Sequence, residues 1–168
     1  ARVAKERPEL HHFVVGKFSE EDAFVAELRR IVREHGVEER THFLGNIDED
    51  EKVDLLQRAL VFLHTPVTAS DGGFEGFGIV YLEASASGTP CIGSLDCGAE
   101  DAIRDGETGF LVEQSVEAVE GALEKLLDTE GGEDLRKRMG EAGRKLASET
   151  TWDENARQVL ELYAEVLQ

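Results

Sequence analysis

Several residue types are scarce in this sequence. Its 168 residues include 3 prolines, 1 tryptophan, 1 methionine and 2 cysteines. The cysteines, Cys91 and Cys97, stand six apart, and no Cys-x-x-Cys or Cys/His cluster has zinc spacing. A reducing, cytoplasmic compartment is the expectation. Cations are also few: 18 Lys and Arg face 36 Asp and Glu, giving a formal net charge of −18, and only 6 of the cations are lysines. A surface of that sign repels phosphate backbones and anionic lipid, which excludes nucleic-acid binding through a basic face. Long hydrophobic runs are missing as well, none approaching the ~18 residues that would span a membrane. No targeting segment is visible, and an opening at Ala1 rather than Met reads as a processed chain or, in preference, a piece of something longer.

What is present is a globular composition, 40% apolar and 32% charged, with 17 glycines for tight turns. A domain of this length buries roughly 70% of its unfolded surface and needs no disulfide or metal staple. The acidic residues are scattered along the whole chain rather than gathered in a tail. Self-repulsion on that scale is relieved by salt, so the surface reads as salt-adapted, of the halophilic type, the alternative being an ordinary acidic cytoplasmic protein whose host needs no special salt.

The pattern alternates strand and helix. His12 to Val15 form a short apolar run closed by Gly16. Ser19, with Asp22 three residues on, opens a helix that carries Phe24, Leu28, Ile31 and Val32 and ends at Gly36. Thr41 to Leu44 read as a strand, again closed by glycine. Asp48 or Asp50 caps a helix with Val53, Leu55, Leu56 and Leu60. Leu60 to His64 read as a buried strand, followed by a polar loop from Thr65 to Phe74, then Glu75-Gly76-Phe77-Gly78 and an apolar helix to Ser87, stopped by Gly88 and Pro90. Residues 91–93 and 109–112 are short strands, with a short helix near 99–104 between them. Residues 115–168 form a helical tail broken at Gly131-Gly132 and near Thr150-Thr151.

Such alternation predicts an α/β fold, a Rossmann-like doubly wound parallel sheet with a helical C-terminal tail. Ligands bind such sheets at the carboxyl ends of the strands. That places Gly16-Lys17, Gly45-Asn46, His64-Thr65-Pro66 and Ser94-Leu95 along the active edge. His64 there is either a ligand contact or a satisfied core histidine, and Lys17 is a candidate for phosphate or base contact. His11, His12, His35 and His42 have no metal spacing and read as surface or strand-edge groups. Trp152 and Tyr163 read as packing residues of the tail, and Cys91 as a buried small apolar residue.

Glu83 is unusual, a carboxylate in the otherwise apolar helix Ile79 to Ser87. Burying it needs partners, and the paired hydroxyls of a sugar are suitable ones. Read from the residues alone, Glu83 is either such a ligand or a solvent-facing residue of an amphipathic helix. Glu75 lies eight residues earlier, which at helical rise is about 12 Å, the reach from a hexose to the ribose of a nucleotide sugar. The start of the helix between them offers N–H groups to a phosphate. That separation also exceeds both carboxylate spacings of glycoside hydrolysis, which rejects a hydrolase pair.

The run from Phe74 through Glu75-Gly76-Phe77-Gly78-Ile79-Val80-Tyr81-Leu82-Glu83-Ala84, with Gly88-Thr89-Pro90, resembles the Glu-x7-Glu segment of the retaining GT-B glycosyltransferases that use nucleotide-sugar donors. Val14-Val15-Gly16, Phe43-Leu44-Gly45, Asp105 to Val112 and the tail with Trp152 fall in the family's order. The resemblance implies that residues 1–168 are one donor-binding domain, the C-terminal half of a two-domain enzyme that is truncated at its N-terminus and lacks the acceptor-binding half. Glu75 would contact the transferred sugar as the catalytic carboxylate. Gly76, Phe77 and Gly78 would offer amides to sugar and diphosphate, and Glu83 would hold the ribose. Gly16, Lys17, Gly45, Asn46 and Ile47 would line the base pocket, and Thr65 and Pro66 would lie under the diphosphate.

The partners implied are a nucleotide-diphosphate sugar as donor substrate, an acceptor that is a glycan, lipid or small molecule, and the missing domain. No cofactor or metal is expected. The full-length enzyme would work in the cytoplasm or peripherally at the inner membrane face, and this piece alone would be inactive. Tyr81 and the Gly-rich loop before Glu75 resemble the mannosyl-transferring members. A nucleotide-sugar epimerase or hydrolase of related fold, or a non-catalytic nucleotide-sugar-binding module, are the alternatives. Two departures from the family pattern stand out. Cys97-Gly98-Ala99-Glu100-Asp101 replaces the family's frequent Gly-Gly-x-Pro-Glu, and the Arg and Lys expected for the diphosphate precede this chain.

Overall fold

The structure is a computed structural model that describes residues 2–19, 21–67 and 75–167. Most of the polar loop expected from Thr65 to Phe74, including Gly72, Gly73 and Phe74, lies outside the described residues. Two compact units divide the chain, Ala1–Asp54 and Leu55–Gln168.

The first unit begins with helix α1 (Arg2–Glu6), strand β1 (His12–Val15), helix α2 (Ala23–Glu34) and strand β2 (Thr41–Gly45). The strands pair in parallel, His12 opposite Thr41 and Val15 opposite Gly45. The cap of α2 is Asp22, whose carboxylate accepts from Phe24 N–H at 2.8 Å, and not Ser19. The Ser19 hydroxyl instead accepts from Glu21 N–H in the turn before it. Gly36 ends the helical segment with a φ of +64°, as its position predicts. Val25 and Val37 are the buried apolar residues of this unit. The Arg29 guanidinium lies 4.4 Å from the centre of the Phe43 ring. The Arg40 guanidinium donates to the carbonyls of Ala4 and Arg7, at 2.6 and 2.9 Å, and so ties α1 down.

Helix α3 (Glu49–Arg58) begins with a capping box: Glu51 N–H donates to the Asp48 carboxylate at 2.8 Å, and the Glu51 carboxylate accepts from Asp48 N–H at 3.3 Å. The second unit then runs through strand β3 (Phe62–Leu63), helix α4 (Ile79–Ser87), strand β4 (Cys91–Ser94), helix α5 (Ala99–Ala102), strand β5 (Gly109–Val112) and helices α6 (Val116–Leu127), α7 (Gly132–Glu149) and α8 (Trp152–Val166). Its strands form a parallel sheet in the order β3-β4-β5. The strand expected over Leu60 to His64 is confined to two residues, although His64 N–H still donates to the Ile92 carbonyl at 3.0 Å.

Alternation along β4 builds a core on each face of this sheet. Cys91 points to one side, among Leu56, Tyr81, Ala84, Ala99, Ala102 and Ile103. Ile92 points to the other, among Ala122, Leu126 and Met139. Helices α4 and α5 therefore cover one face and α6 and α7 the other, which is the doubly wound arrangement. Burial pushes the Cys91 thiol up to about 12, so it packs as a small apolar residue.

Helix α7 also packs along α4. Their approach is close because Gly140 and Gly143 lack side chains: a Cβ on Gly140 would stand 2.2 Å from the Gly88 carbonyl oxygen, and one on Gly143 would stand 3.3 Å from Ser85 Cα. The packing expected of Trp152 and Tyr163 is absent. They are 78% and 62% exposed, and α8 buries none of its residues. The physical reason is that nothing among the described residues covers the apolar side of α8.

Candidate functional site

In the first unit, Gly16 N–H donates to the Gly45 carbonyl at 3.0 Å, so the carboxyl ends of β1 and β2 lie side by side. Gly16 and Gly45 adopt φ values of +146° and +68°, and a Cβ on either would meet nothing within 4 Å. The chain thus turns away from the sheet with an open surface above the turns. Lys17 and Asn46 leave these turns exposed and Ile47 is half-buried. The structure brings together all five residues expected to meet a base.

In the second unit the expected site residues gather at the carboxyl ends of β3 and β4. Thr65 and Pro66 are half-buried, and Ser94 Oγ donates to the Pro66 carbonyl at 2.6 Å. The segment after β3 is therefore held against the end of β4. Glu75, Gly76 and Phe77 form the turn that leads to α4, with Gly78 at its N-cap. Gly78 has a φ of +74°, and a Cβ there would also stand 2.4 Å from the Tyr81 ring, so no other residue type fits without displacement. Its cap has no side-chain acceptor and Tyr81 N–H donates to the Gly78 carbonyl at 2.9 Å, which among the described residues leaves the amides of Ile79 and Val80 for another partner.

The helix starts later than the 12 Å reading of the Glu75–Glu83 step requires. Only Ile79 onward is helical, so half of the step is turn and the helical rise does not measure it. Glu83 lies on the second turn of α4, half-buried. At 100° per residue it falls on the face opposite the buried Tyr81, Ala84 and Ser85, in line with Ile79. The apolar side of α4 is thus spent on the core, and Glu83 faces away from it.

Sequence reasoning missed two features. First, Glu75 is braced by the loop after β4. Gly98 N–H donates to the Glu75 carbonyl at 2.8 Å. A Cβ on Gly98 would stand 2.1 Å from the Gly76 carbonyl oxygen and 2.4 Å from Phe77 N. The Cys97-Gly98 stretch therefore gains a role, a backbone platform beneath the turn. The departure from the family pattern was its only signal in the sequence. Second, His64 Nε2 lies 3.4 Å from Glu75 Oε2. The carbonyl of His64 accepts from Tyr81 O–H at 2.7 Å. Burial raises the Tyr81 phenol well above its ordinary range, helped by the nearby Cys97, Glu75 and Cys91, so this hydroxyl keeps its proton.

Concavity alone does not locate this chemistry. Cavities of about 420 Å³ at Gly36 to Arg40 and about 400 Å³ between Phe110 and Lys125 contain none of these residues. What the strand ends offer is a carboxylate on a braced turn, a second carboxylate on the following helix and the amides of Ile79 and Val80 at that helix's start. That set suits a neutral polyol with a phosphate attached.

Known proteins share this sequence and fold. The family described as Glycosyl transferases group 1 matches residues 1–146. The chain is 36% identical over 138 residues to a D-inositol 3-phosphate glycosyltransferase of Corynebacterium aurimucosum, covering 82% of this chain and 31% of that protein. It is 34% identical over 133 residues to a GDP-mannose-dependent alpha-(1-6)-phosphatidylinositol monomannoside mannosyltransferase of Mycobacterium tuberculosis, covering 77% of this chain and 34% of that protein. The chain thus spans about a third of the length of these curated relatives. Among solved structures, the C-terminal domain of a glycosyl transferase group 1 family protein from Francisella tularensis superposes with a TM-score of 0.71 at 28% identity, over 86% of this chain and 71% of that one. By sequence and by its parallel α/β fold, the chain belongs to the glycosyl transferases group 1, a family of GT-B glycosyltransferases.

Proposed function

We propose that this chain is the donor-binding half of a two-domain glycosyltransferase that takes a sugar from a nucleoside diphosphate sugar and transfers it with retention. One observation carries the reading: the turn from Glu75 to Gly78 is held at the strand ends by Gly98, with Glu83 on the outward face of the helix it starts. In this reading Glu75 meets the hydroxyls of the transferred sugar. Gly76, Phe77, Gly78 and the first amides of α4 receive sugar and diphosphate, and Glu83 accepts from the ribose hydroxyls. Gly16, Lys17, Gly45, Asn46 and Ile47 line the base pocket, and Thr65 and Pro66 pass beneath the diphosphate. The acceptor and the residues that bind it belong to the N-terminal half, a reading consistent with the third of its relatives' length that the chain spans. Mannose is the proposed sugar, supported by the GDP-mannose dependence in the name of the mycobacterial relative. The working location is the cytoplasm or the inner face of its membrane. No helix among the described residues is long and apolar enough to cross a membrane.

Calorimetry and kinetics on the full-length enzyme test the reading. Glu83→Ala should weaken binding of the bare nucleotide by roughly 10- to 150-fold, the value of one hydrogen bond to a charged acceptor. Glu75→Ala should leave that affinity nearly unchanged and lower kcat with the sugar donor. Unchanged nucleotide affinity in the Glu83 variant would remove Glu83 from the ribose.

A further inference from the structure

We propose that His64 is the positioning residue for Glu75. Its Nε2–H donates to Glu75 Oε2 and turns the carboxylate so that Oε1 faces the donor sugar. The inference rests on the reading of Glu75 given above. An ionised carboxylate only accepts hydrogen bonds, so the proton at the 3.4 Å contact belongs to His64 Nε2. The two partners are held in different ways. His64 is fixed from both sides of its backbone: its N–H donates to the Ile92 carbonyl at 3.0 Å and its carbonyl accepts from Tyr81 O–H at 2.7 Å. Its ring leans on two aromatics, with centroids 5.4 Å from Tyr81 and 6.3 Å from Phe62. Tyr81 is completely buried, which makes this a rigid mount.

Glu75, by contrast, is held through its main chain, among the described residues by the bond from Gly98 N–H to its carbonyl. The brace sets where the residue starts and leaves the carboxylate free to rotate about its side-chain bonds. A side chain about one-third exposed, as the 30% of Glu75 is, loses rotamer freedom only if something engages its end. Among the described residues, the side chain that meets that end is His64. A carboxylate that must accept from two sugar hydroxyls in a set direction gains rate from being oriented before the donor arrives. The interaction therefore acts on orientation, and the expected loss falls in kcat rather than in nucleotide affinity.

Substitutions in the full-length enzyme separate positioning from bulk. His64→Gln places an amide Nε2–H close to the position of the imidazole Nε2–H, whereas the shorter side chain of His64→Asn does not reach it. His64→Ala should lower kcat about ten- to hundredfold, with affinity for the bare nucleotide within about twofold. His64→Gln should recover kcat to within about threefold of the parent, and His64→Asn should resemble His64→Ala. On a Glu75→Gln background, His64→Ala should cost less than threefold, because the two side chains act as one unit. Full kcat in His64→Ala, equal kcat in the Gln and Asn variants, or a full loss on the Glu75→Gln background would each overturn the proposal. If His64→Ala does not fold, the Gln and Asn pair decides. Glu75→Ala separates the two readings: full activity there overturns the site itself, whereas a large loss there combined with unaffected His64 variants overturns only the positioning role.

Discussion

At the scale of single residues, the site depends on glycines as much as on carboxylates. Gly98 lies against the backbone of Gly76 and Phe77 at distances that leave no space for a methyl group. Gly98→Ala should therefore push the Glu75 turn outward. The expected cost is about 1–3 kcal/mol of stability, the usual range for overpacking. A rate loss of up to about 100-fold should come with it, as a 1 Å displacement of a reacting group can cause. A thermal melt and a kcat measurement on the same preparation check both, and wild-type values in both would show that the loop yields. The carboxylates of this site were legible in the sequence because each breaks a local rule. Glu83 interrupts an apolar helix, and Glu75 sits between turn glycines. The brace and the contact of His64 with Glu75 were not legible. Gly98 is one of 17 glycines, and nothing local separates a glycine that receives a backbone from one that only turns. His64 at a strand end has the same sequence whether or not a carboxylate 11 residues later folds back onto it.

At the scale of elements, boundaries were legible where glycine or a capping side chain sets them. Gly36, Gly45 and Gly88 all take positive φ at the ends predicted for them. One exception has a competing local partner as its cause. Ser19 was a plausible cap, yet Asp22 takes that role because its carboxylate sits one residue before the helix and reaches Phe24 N–H. The close packing of α7 on α4 is a tertiary fact that helical periodicity does not encode. It gives a paired prediction. Gly140→Ala gains helix propensity but drives a Cβ to 2.2 Å from the Gly88 carbonyl, so it should destabilise by about 1–3 kcal/mol. Gly121→Ala, in α6, meets nothing within 4 Å and should stabilise by about 0.5–1 kcal/mol. Opposite shifts in melting temperature, each about 2–4 °C per kcal/mol, are the measurement. Shifts of the same sign would mean that the two helices are not in contact as closely as described.

At the scale of the whole molecule, charge dominates. The net −18 is carried largely by exposed side chains, some of them in helical ion pairs such as Arg30 with Glu27 and Glu34 and Arg157 with Glu154 and Glu161. Exposed pairs of this kind add little, and too few cations exist to match every acid. Melting temperature should therefore climb with added KCl. The steepest part should fall below about 0.3 M, where the Debye length shrinks from ~10 Å towards half that value. Any gain continuing above about 1 M reports ion and water binding or stronger apolar burial. A flat profile from low salt to 2 M would set aside the salt-adapted reading. The same profile has a second use. The contact that seats the Glu75 turn, Gly98 N–H to the Glu75 carbonyl, joins two neutral backbone groups and involves no ion pair. Ionic strength can change how many molecules are folded without changing where the main chain of Glu75 stands in each of them. The turn is in this sense insulated from its own surface, so a lineage that changes its salinity can rewrite its exterior residue by residue while the backbone of this turn keeps a fixed shape.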